Sequence, residues 1–562
     1  MRRPLPLAAV AVAFAAADTY VVVLALPDMM LTAGLGVDEL QRAAPIISGF
    51  LLGYVAMLPL IGRVADLRGR VPVLTASLLV FALGSLVTAL SADLPTMVTG
   101  RFLQGVGGGG LVPATLALVA DLYPADRRSV PLGVVSGVQE LGSVLGPLYG
   151  ALVLALADWE AIFWVNLAVG LLLAAALAGR RTRRPARPRP DRVGLLLLGL
   201  CLAGLVLVLS RPDALTSDLV LGWPYVPLAG DTLWLAPLSL VTVALAVLLV
   251  LRCLLAAHPL VDVRGWARTF AAADLPGAAL LGLVLAGVIL AFATADPAVQ
   301  VFSASGEWLL AAAAVAAVLL GVHLRRSRRP LVPRGALRRT PAWGSLLASF
   351  FVGAALIAAL VDIPVYARLT SYHDSQLGAA LVLVRLLVAL PVGAVAGGYL
   401  TRRFRAGAVC LVGMVAAAAA FGWMSRWGLH SLDSPATTVP LVVAGLGFGL
   451  ALAPVNTALL ASTDAEVHGL ASALVVVARM VGMLVGISVL TTVGLHRYFV
   501  AQAALPPIAD VCGDGGACPR YARLVDLAAL TQVQTIFVGA ALCALIAGML
   551  AAGLFRGAPA RS

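Results

Sequence analysis

The sequence predicts an all-α polytopic membrane protein: two related six-helix bundles with further helices inserted between them. Three observations carry that expectation. Hydrophobic residues make up 61% of the 562-residue chain and charged residues 12%, with a mean hydropathy of +1.00; a water-soluble domain has no use for such a balance. Apolar runs long enough to cross a bilayer recur from one end of the chain to the other. Finally, a shift of 340 residues lays Gly142 on Gly482 and Gly146 on Gly486 and brings Glu140 within one position of Arg479. Small residues four apart let two helix backbones approach closely, so related helices recur in the two halves.

In chain order, the first group of spans falls near 5–30, 45–64, 71–91, 95–121, 129–156 and 161–179. A second group follows near 193–210, 233–254, 272–294 and 307–324. The last lies near 342–366, 377–400, 407–426, 438–461, 467–495 and 529–555, sixteen in all, with fourteen as the alternative count. The expected units are a bundle over 1–180, a linker over 181–339, and a bundle over 340–562 with an outer segment near 496–530. Arg2, Arg3 and the small residues Ala15–Ala17 fit a signal-peptide template, but the apolar run resumes at Val21 and is long enough to span. The heaviest arginine clusters, 180–192 and 325–339, fall on one side, which predicts both termini on the cytoplasmic side of the cytoplasmic membrane. All 39 basic residues are arginines, which excludes the lysine of a phosphate-binding loop, and their placement between spans argues against nucleic acid as a partner.

The second group contains a repeat. Asp191, Gly194, Leu197, Leu198, Gly199, Leu200, Leu202, Ala203 and Gly204 return 83 residues later as Asp274, Gly277, Leu280, Leu281, Gly282, Leu283, Leu285, Ala286 and Gly287. Pro259-Leu260-Val261 returns as Pro330-Leu331-Val332. Matching glycine spacing and a matching tail predict a duplicated helical hairpin, peripheral to any transport path.

Charges inside spans are the functional candidates. Each costs about 2.5–3.5 kcal/mol on insertion scales, so each needs a partner or a task. Asp18 lies mid-span in D-T-Y-V-V-V. Glu140 opens Q-E-L-G-S-V-L-G-P-L-Y-G, with Gly142, Gly146, Pro147 and Gly150 after it. Arg479 lies in V-V-V-A-R-M-V-G-M-L, and a Glu140–Arg479 ion pair is expected. Asp362 sits near the outer end of its span, where an outer cavity is expected, and Arg385 has no evident partner. Cys512 and Cys518, amid glycines in the outer segment, are spaced to close a disulfide. The six histidines form no metal-binding pattern, and no cofactor is expected.

The turn after the second span, Gly62-Arg-Val-Ala-Asp66-Leu-Arg68-Gly69-Arg70, resembles the signature of the major facilitator superfamily, G-x-x-x-D-R-x-G-R, and departs from it at Leu67. Asp66 and the arginines are expected to bond across the inter-domain surface. The equivalent turn of the second half, Gly397 to Arg405, has Thr401 where the acid stands. Arg101 with Gln104 and Gly105 resembles the fourth-helix pattern R-x-x-Q-G, and Gly146-Pro147-x-x-Gly150 the fifth-helix antiporter pattern. Asp18 resembles the first-helix acid of the drug:proton antiporter branch with fourteen helices. Within that branch the chain is most similar to the mycobacterial lipid-exporting efflux pumps. The resemblance covers roughly 1–180 and 325–556. It implies a proton-coupled exporter of lipids or lipophilic compounds, working by alternating access beside a periplasmic lipid-binding lipoprotein. Asp18 and Glu140 would couple to protons, and residues 62–70 would form a gating loop. Other readings remain: multidrug efflux without lipid duty, a membrane-embedded transferase, or a scaffold for a lipoprotein. The linker carries two hairpins where the family has one, and the outer segment Trp427–Pro440 is short.

Overall fold

The computed structural model describes residues 4–35, 40–179, 191–216, 222–228, 232–293, 305–327, 330–372, 375–512 and 518–557. Arg2, Arg3 and most of the 180–192 arginine cluster lie outside the described residues, as does the side chain of Pro147. No strand occurs among the described residues. The first bundle comprises α1 (Pro4–Thr32), α2 (Leu40–Arg68), α3 (Arg70–Ala89), α4 (Leu94–Leu122), α5 (Ser129–Leu154) and α6 (Glu160–Ala178). The linker contributes α7 (Arg192–Ser210), α8 (Pro237–Leu255), a short α9 (Val263–Ala272), α10 (Leu275–Ala293) and α11 (Gly306–Arg326). Then come α12 (Thr340–Thr370), α13 (Gln376–Leu400), α14 (Ala406–Met424), α15 (Thr438–Ala461), α16 (His468–Ala503) and α17 (Pro519–Leu554). Fourteen of these helices are, among the described residues, long and apolar enough to cross a membrane; α1 and α5, of 29 and 26 residues, stand beside them.

The halves repeat one packing scheme. In the first, α1 packs on α5, α2 on α4, and α3 on both α4 and α6. In the second, α12 packs on α16, α13 on α15, and α14 on both α15 and α17. Glycines set the closest crossings, as their spacing predicts: a methyl at Gly142 or Gly146 would overlap the Ala13 or Ala17 carbonyl, and one at Gly482 the Phe350 carbonyl. The bundles meet along two seams, α2 against α16 and α5 against α13.

The duplicated hairpins share a fastening that the repeat alone did not reveal. Asp191 caps α7, accepting from Gly194 N at 3.0 Å, and takes Arg252 Nη2 from the returning helix at 3.1 Å. Asp274 caps α10, accepting from Gly277 N at 3.3 Å, and lies 2.7 Å from His323 Nε2 of its returning helix. Leu260 N faces Asp191, and Leu331 N donates to Asp274 at 2.7 Å. Each aspartate thus satisfies free N–H groups at a helix start and ties both ends of its hairpin together.

The hairpins are not equally exposed, a difference that the repeat does not reveal. Helices α7, α8 and α11 are largely exposed, whereas α10 lies on α2 and α16. Its Ala278, Leu281, Leu285 and Ile289, three or four residues apart, form one apolar stripe in the cluster that includes Val55 and Leu58 of α2 and Val476 and Val477 of α16. The outer segment 496–530 differs too. It is mostly helical, because α16 runs on to Ala503 and α17 starts at Pro519. Each has 36 residues and spans about 54 Å at ~1.5 Å per residue, well beyond a ~30 Å hydrocarbon core. Cys512 and Cys518 form a disulfide between them.

Candidate functional site

Five of the six helices of the first bundle converge on Asp18. Helix α4 starts where Asp93 accepts from Thr96 N at 2.8 Å, with proline in the first turn. Gly105 lets α4 approach α2 so closely that a methyl there would overlap the Phe50 carbonyl. Arg101 is thereby held in the bundle interior. Its Nη1 donates to Asp18 Oδ2 and to Gln104 Oε1, each at 2.8 Å, and its Nε donates to Ile46 O at 3.4 Å. The guanidinium lies 4.5 Å from the Phe50 ring centroid. Gln104 Nε2 donates to Ser85 Oγ at 2.9 Å, and Asn166 Nδ2 of α6 donates to Asp18 Oδ1. Asp18 and Arg101 are each 1% exposed. This is a desolvated ion pair whose remaining donors and acceptors are largely filled, the arrangement a buried charge pair requires.

Sequence reasoning treated Asp18 and Arg101 as separate features and missed Asn166 and Ser85. The signal for Asn166 was present: it is the one uncharged polar side chain in α6, whose other residues after Glu160 are apolar or glycine.

A second pair joins the bundles. Arg479 Nη1 of α16 donates to Glu140 Oε1 of α5 at 3.2 Å. Next to it a small cavity is lined by Ser136, Gln139, Ser349, Asn456 and Arg479, and Asn456 Nδ2 reaches Ser136 Oγ at 3.5 Å. Elsewhere, Asp362 is buried and makes no hydrogen bond or ion pair among the described residues. Arg385 Nη1 donates to Thr438 Oγ1 at 3.0 Å.

The loop between α2 and α3 is the third feature. Asp66 accepts from Gly469 N at 2.8 Å and Leu470 N at 3.0 Å, capping α16 across the seam. A helix N-terminus offers unpaired N–H groups and partial positive charge, which suits a carboxylate. Gly62 permits this approach, since a Cβ there would stand 2.6 Å from Gly469 O. The arginines depart from expectation. Arg70 turns back into its own bundle, 2.6 Å from Asp66 and 3.2 Å from Asp121. Arg68 bonds the linker, with Nη2 2.7 Å from Asp262 Oδ2 and its guanidinium 4.6 Å from the Trp266 centroid. Of the charged side chains here, Asp66 and Arg63 make the cross-seam bonds, Arg63 donating to Glu466 O at 3.1 Å. The Arg68 hydrogen bond and the Gly265 N–H hold the Asp262 carboxyl below its ordinary 3.8, so this hook is fully charged at neutral pH and weakens only in acid.

Asp66→Ala removes the cap while leaving Gly62 in place. Spin labels at Leu67 and Asp464, both exposed, are expected to shift from one short distance to a broader, longer distribution. An unchanged distribution would show that Asp66 does not hold the seam.

Two packed six-helix bundles with repeated topology, charges buried at the bundle interior and a capped inter-bundle loop define the class of membrane transporters with paired helical repeats. The chain belongs to the Major Facilitator Superfamily, which it matches over residues 8–325 and 278–487. It is 36% identical over 513 residues to the triacylglyceride transporter of Mycobacteroides abscessus, covering 88% of this chain and 84% of that protein. It is 34% identical over 565 residues to the triacylglyceride transporter of Mycobacterium tuberculosis, covering 96% and 93%. In fold it is similar to the human organic anion transporter MFSD10, with TM-score 0.52, 16% identity and coverage of 98% and 99%. It is also similar to the transporter FucP in the outward conformation, with TM-score 0.52, 14% identity and coverage of 98% of each chain.

Proposed function

We propose that the protein exports lipids or lipophilic compounds across the cytoplasmic membrane by proton-coupled alternating access. Residues 1–180 and 340–562 would be the rocking bundles, residues 181–339 the linker, and both termini cytoplasmic. The observation that carries the coupling is the buried Asp18–Arg101 pair within five converging helices. Protonating Asp18 would cancel the anion that holds Arg101, and re-forming the pair would expel the proton, so a single carboxylate can load and release one as its surroundings change. The Glu140–Arg479 pair would favour one arrangement of the bundles, and neutralising Glu140 would release it. The loop capped by Asp66 would close the cytoplasmic end. Relatives named for triacylglyceride transport support an uncharged, lipophilic cargo.

A periplasmic lipid-binding lipoprotein is the proposed partner. The overlong α16 and α17, joined near the Cys512–Cys518 disulfide, would offer it a surface beyond the bilayer. Asp362, a buried carboxylate with no hydrogen bond or ion pair among the described residues, is proposed as a further protonatable group, and Asp362→Asn is expected to reduce proton-driven export while preserving expression. Export at the unsubstituted rate would remove it from the coupling route.

The deciding experiment uses the full chain in sealed vesicles with an imposed pH gradient. Labelled triacylglycerol is expected to move with the gradient and emerge chemically unchanged. Movement of amphipathic cations alone would favour multidrug efflux, and chemical change of the lipid would favour an enzyme.

A further inference from the structure

Two seams separate the bundles, and the linker treats them differently. At the α5–α13 seam, Gly133 and Gly137 lie against Ala394 and Pro391, and no linker helix packs extensively on either helix among the described residues. At the α2–α16 seam, α10 lies across both helices. Its apolar stripe shares one buried cluster with residues of α2 and α16.

The hairpin is fastened mainly to α2. Arg68, on the last turn of α2, bonds Asp262 at 2.7 Å and Thr269 Oγ1 at 3.5 Å and covers Trp266, all at or on α9. Further along, a Cβ placed at Gly282 of α10 would stand 4.0 Å from Ala56 Cβ of α2. Toward α16 the shared cluster is aliphatic, with Leu285 and Ile289 on α10 and Val476 and Val477 on α16. Aliphatic faces can slide past each other without breaking directional bonds, whereas the Arg68 hook anchors α9 in place.

We propose that the second hairpin is a shutter carried by the first bundle. It closes the α2–α16 seam to the bilayer throughout bundle motion, so a membrane-dissolved apolar substrate exchanges with the interior through the α5–α13 seam alone. The substrate part rests on the lipid-export reading; closure of the seam does not.

The test measures access of lipid-dissolved oxygen to spin labels in the full chain in phosphatidylcholine bilayers. Labels at Met57 of α2 and Val481 of α16, both half-buried against the cluster that α10 shares with α2 and α16, are expected to be shielded several-fold relative to labels at exposed Leu145 of α5 and Val388 of α13. Equal access at all four would overturn the shutter. A second variant, Ala56→Cys with Gly282→Cys in a background whose six native cysteines, Cys512 and Cys518 included, are replaced, staples α10 to α2 at a separation suited to a disulfide. The stapled protein is expected to move labelled triacylglycerol at the rate of its reduced form. Loss of movement on stapling, restored by reductant, would show that the hairpin must leave α2 and would overturn the proposal. If neither form moves lipid, the export reading falls, and the oxygen contrast still decides the seam.

Discussion

Asp18→Asn is expected to reduce proton-driven export to the level of empty vesicles and also to destabilise the protein. The first effect follows from removing the carboxylate proposed to carry the proton. The second departs from what near-isosteric replacement suggests. Arg101 is 1% exposed, and its Nη1 is 2.8 Å from Asp18; without the carboxylate it becomes a buried, uncompensated cation. Breaking such a pair from one side typically costs about 3–5 kcal/mol. Asp18→Asn combined with Arg101→Gln removes both charges, so thermal unfolding should recover most of that loss while export stays absent. Two outcomes count against this: a single variant as stable as the parent denies the pair its structural weight, and undiminished gradient-driven export denies Asp18 its role.

The Glu140–Arg479 pair should give the second largest effect, through the relation between bundles rather than within one. Its partners lie 339 positions apart in sequence and meet through one hydrogen bond of 3.2 Å. The side chains are 11% and 13% exposed, so either single substitution should cost less than the full range for a sealed pair. Glu140→Ala leaves Arg479 beside a small cavity whose polar lining residues include Ser136 and Asn456, which offers partial rescue. A double-mutant cycle with Arg479→Ala is expected to show a coupling of about 0.5–3 kcal/mol. Export should be impaired in all three variants, since the inter-bundle tie is gone in each. Additive losses of stability would mean the two residues do not interact.

Much of the architecture was legible because a bilayer forces it into the sequence. Backbone groups inside hydrocarbon must bond within their own helix, so each crossing has to be written as a long apolar run, and the runs can be counted. Close crossings demand small residues at fixed spacing, which is why Gly142 with Gly146 and Gly482 with Gly486 marked helices that cross closely, although only the structure shows α1 and α12 as their partners. Intramembrane charge is costly and therefore rare, so Asp18, Arg101, Glu140, Asp362, Arg385 and Arg479 stood out as a short roster.

What the chain's order of residues could not specify was which of these charges would meet. Asp18, Arg101 and Asn166 come from α1, α4 and α6, and only their packing shows that the first-helix acid and the fourth-helix arginine are one site. The arginines of the 62–70 turn look interchangeable in sequence, yet Arg70 folds back on Asp66 while Arg68 reaches the linker. The duplicated hairpins look alike, yet one face of α10 is buried on the α2–α16 seam and α7 and α8 are largely exposed. Sequence thus determined the elements, their periodicity and their costly residues, because those are local demands of the membrane. Tertiary structure decided the pairings, because the energy of a buried charge or an apolar stripe depends on what stands opposite it, and a neighbour hundreds of residues away leaves no local trace.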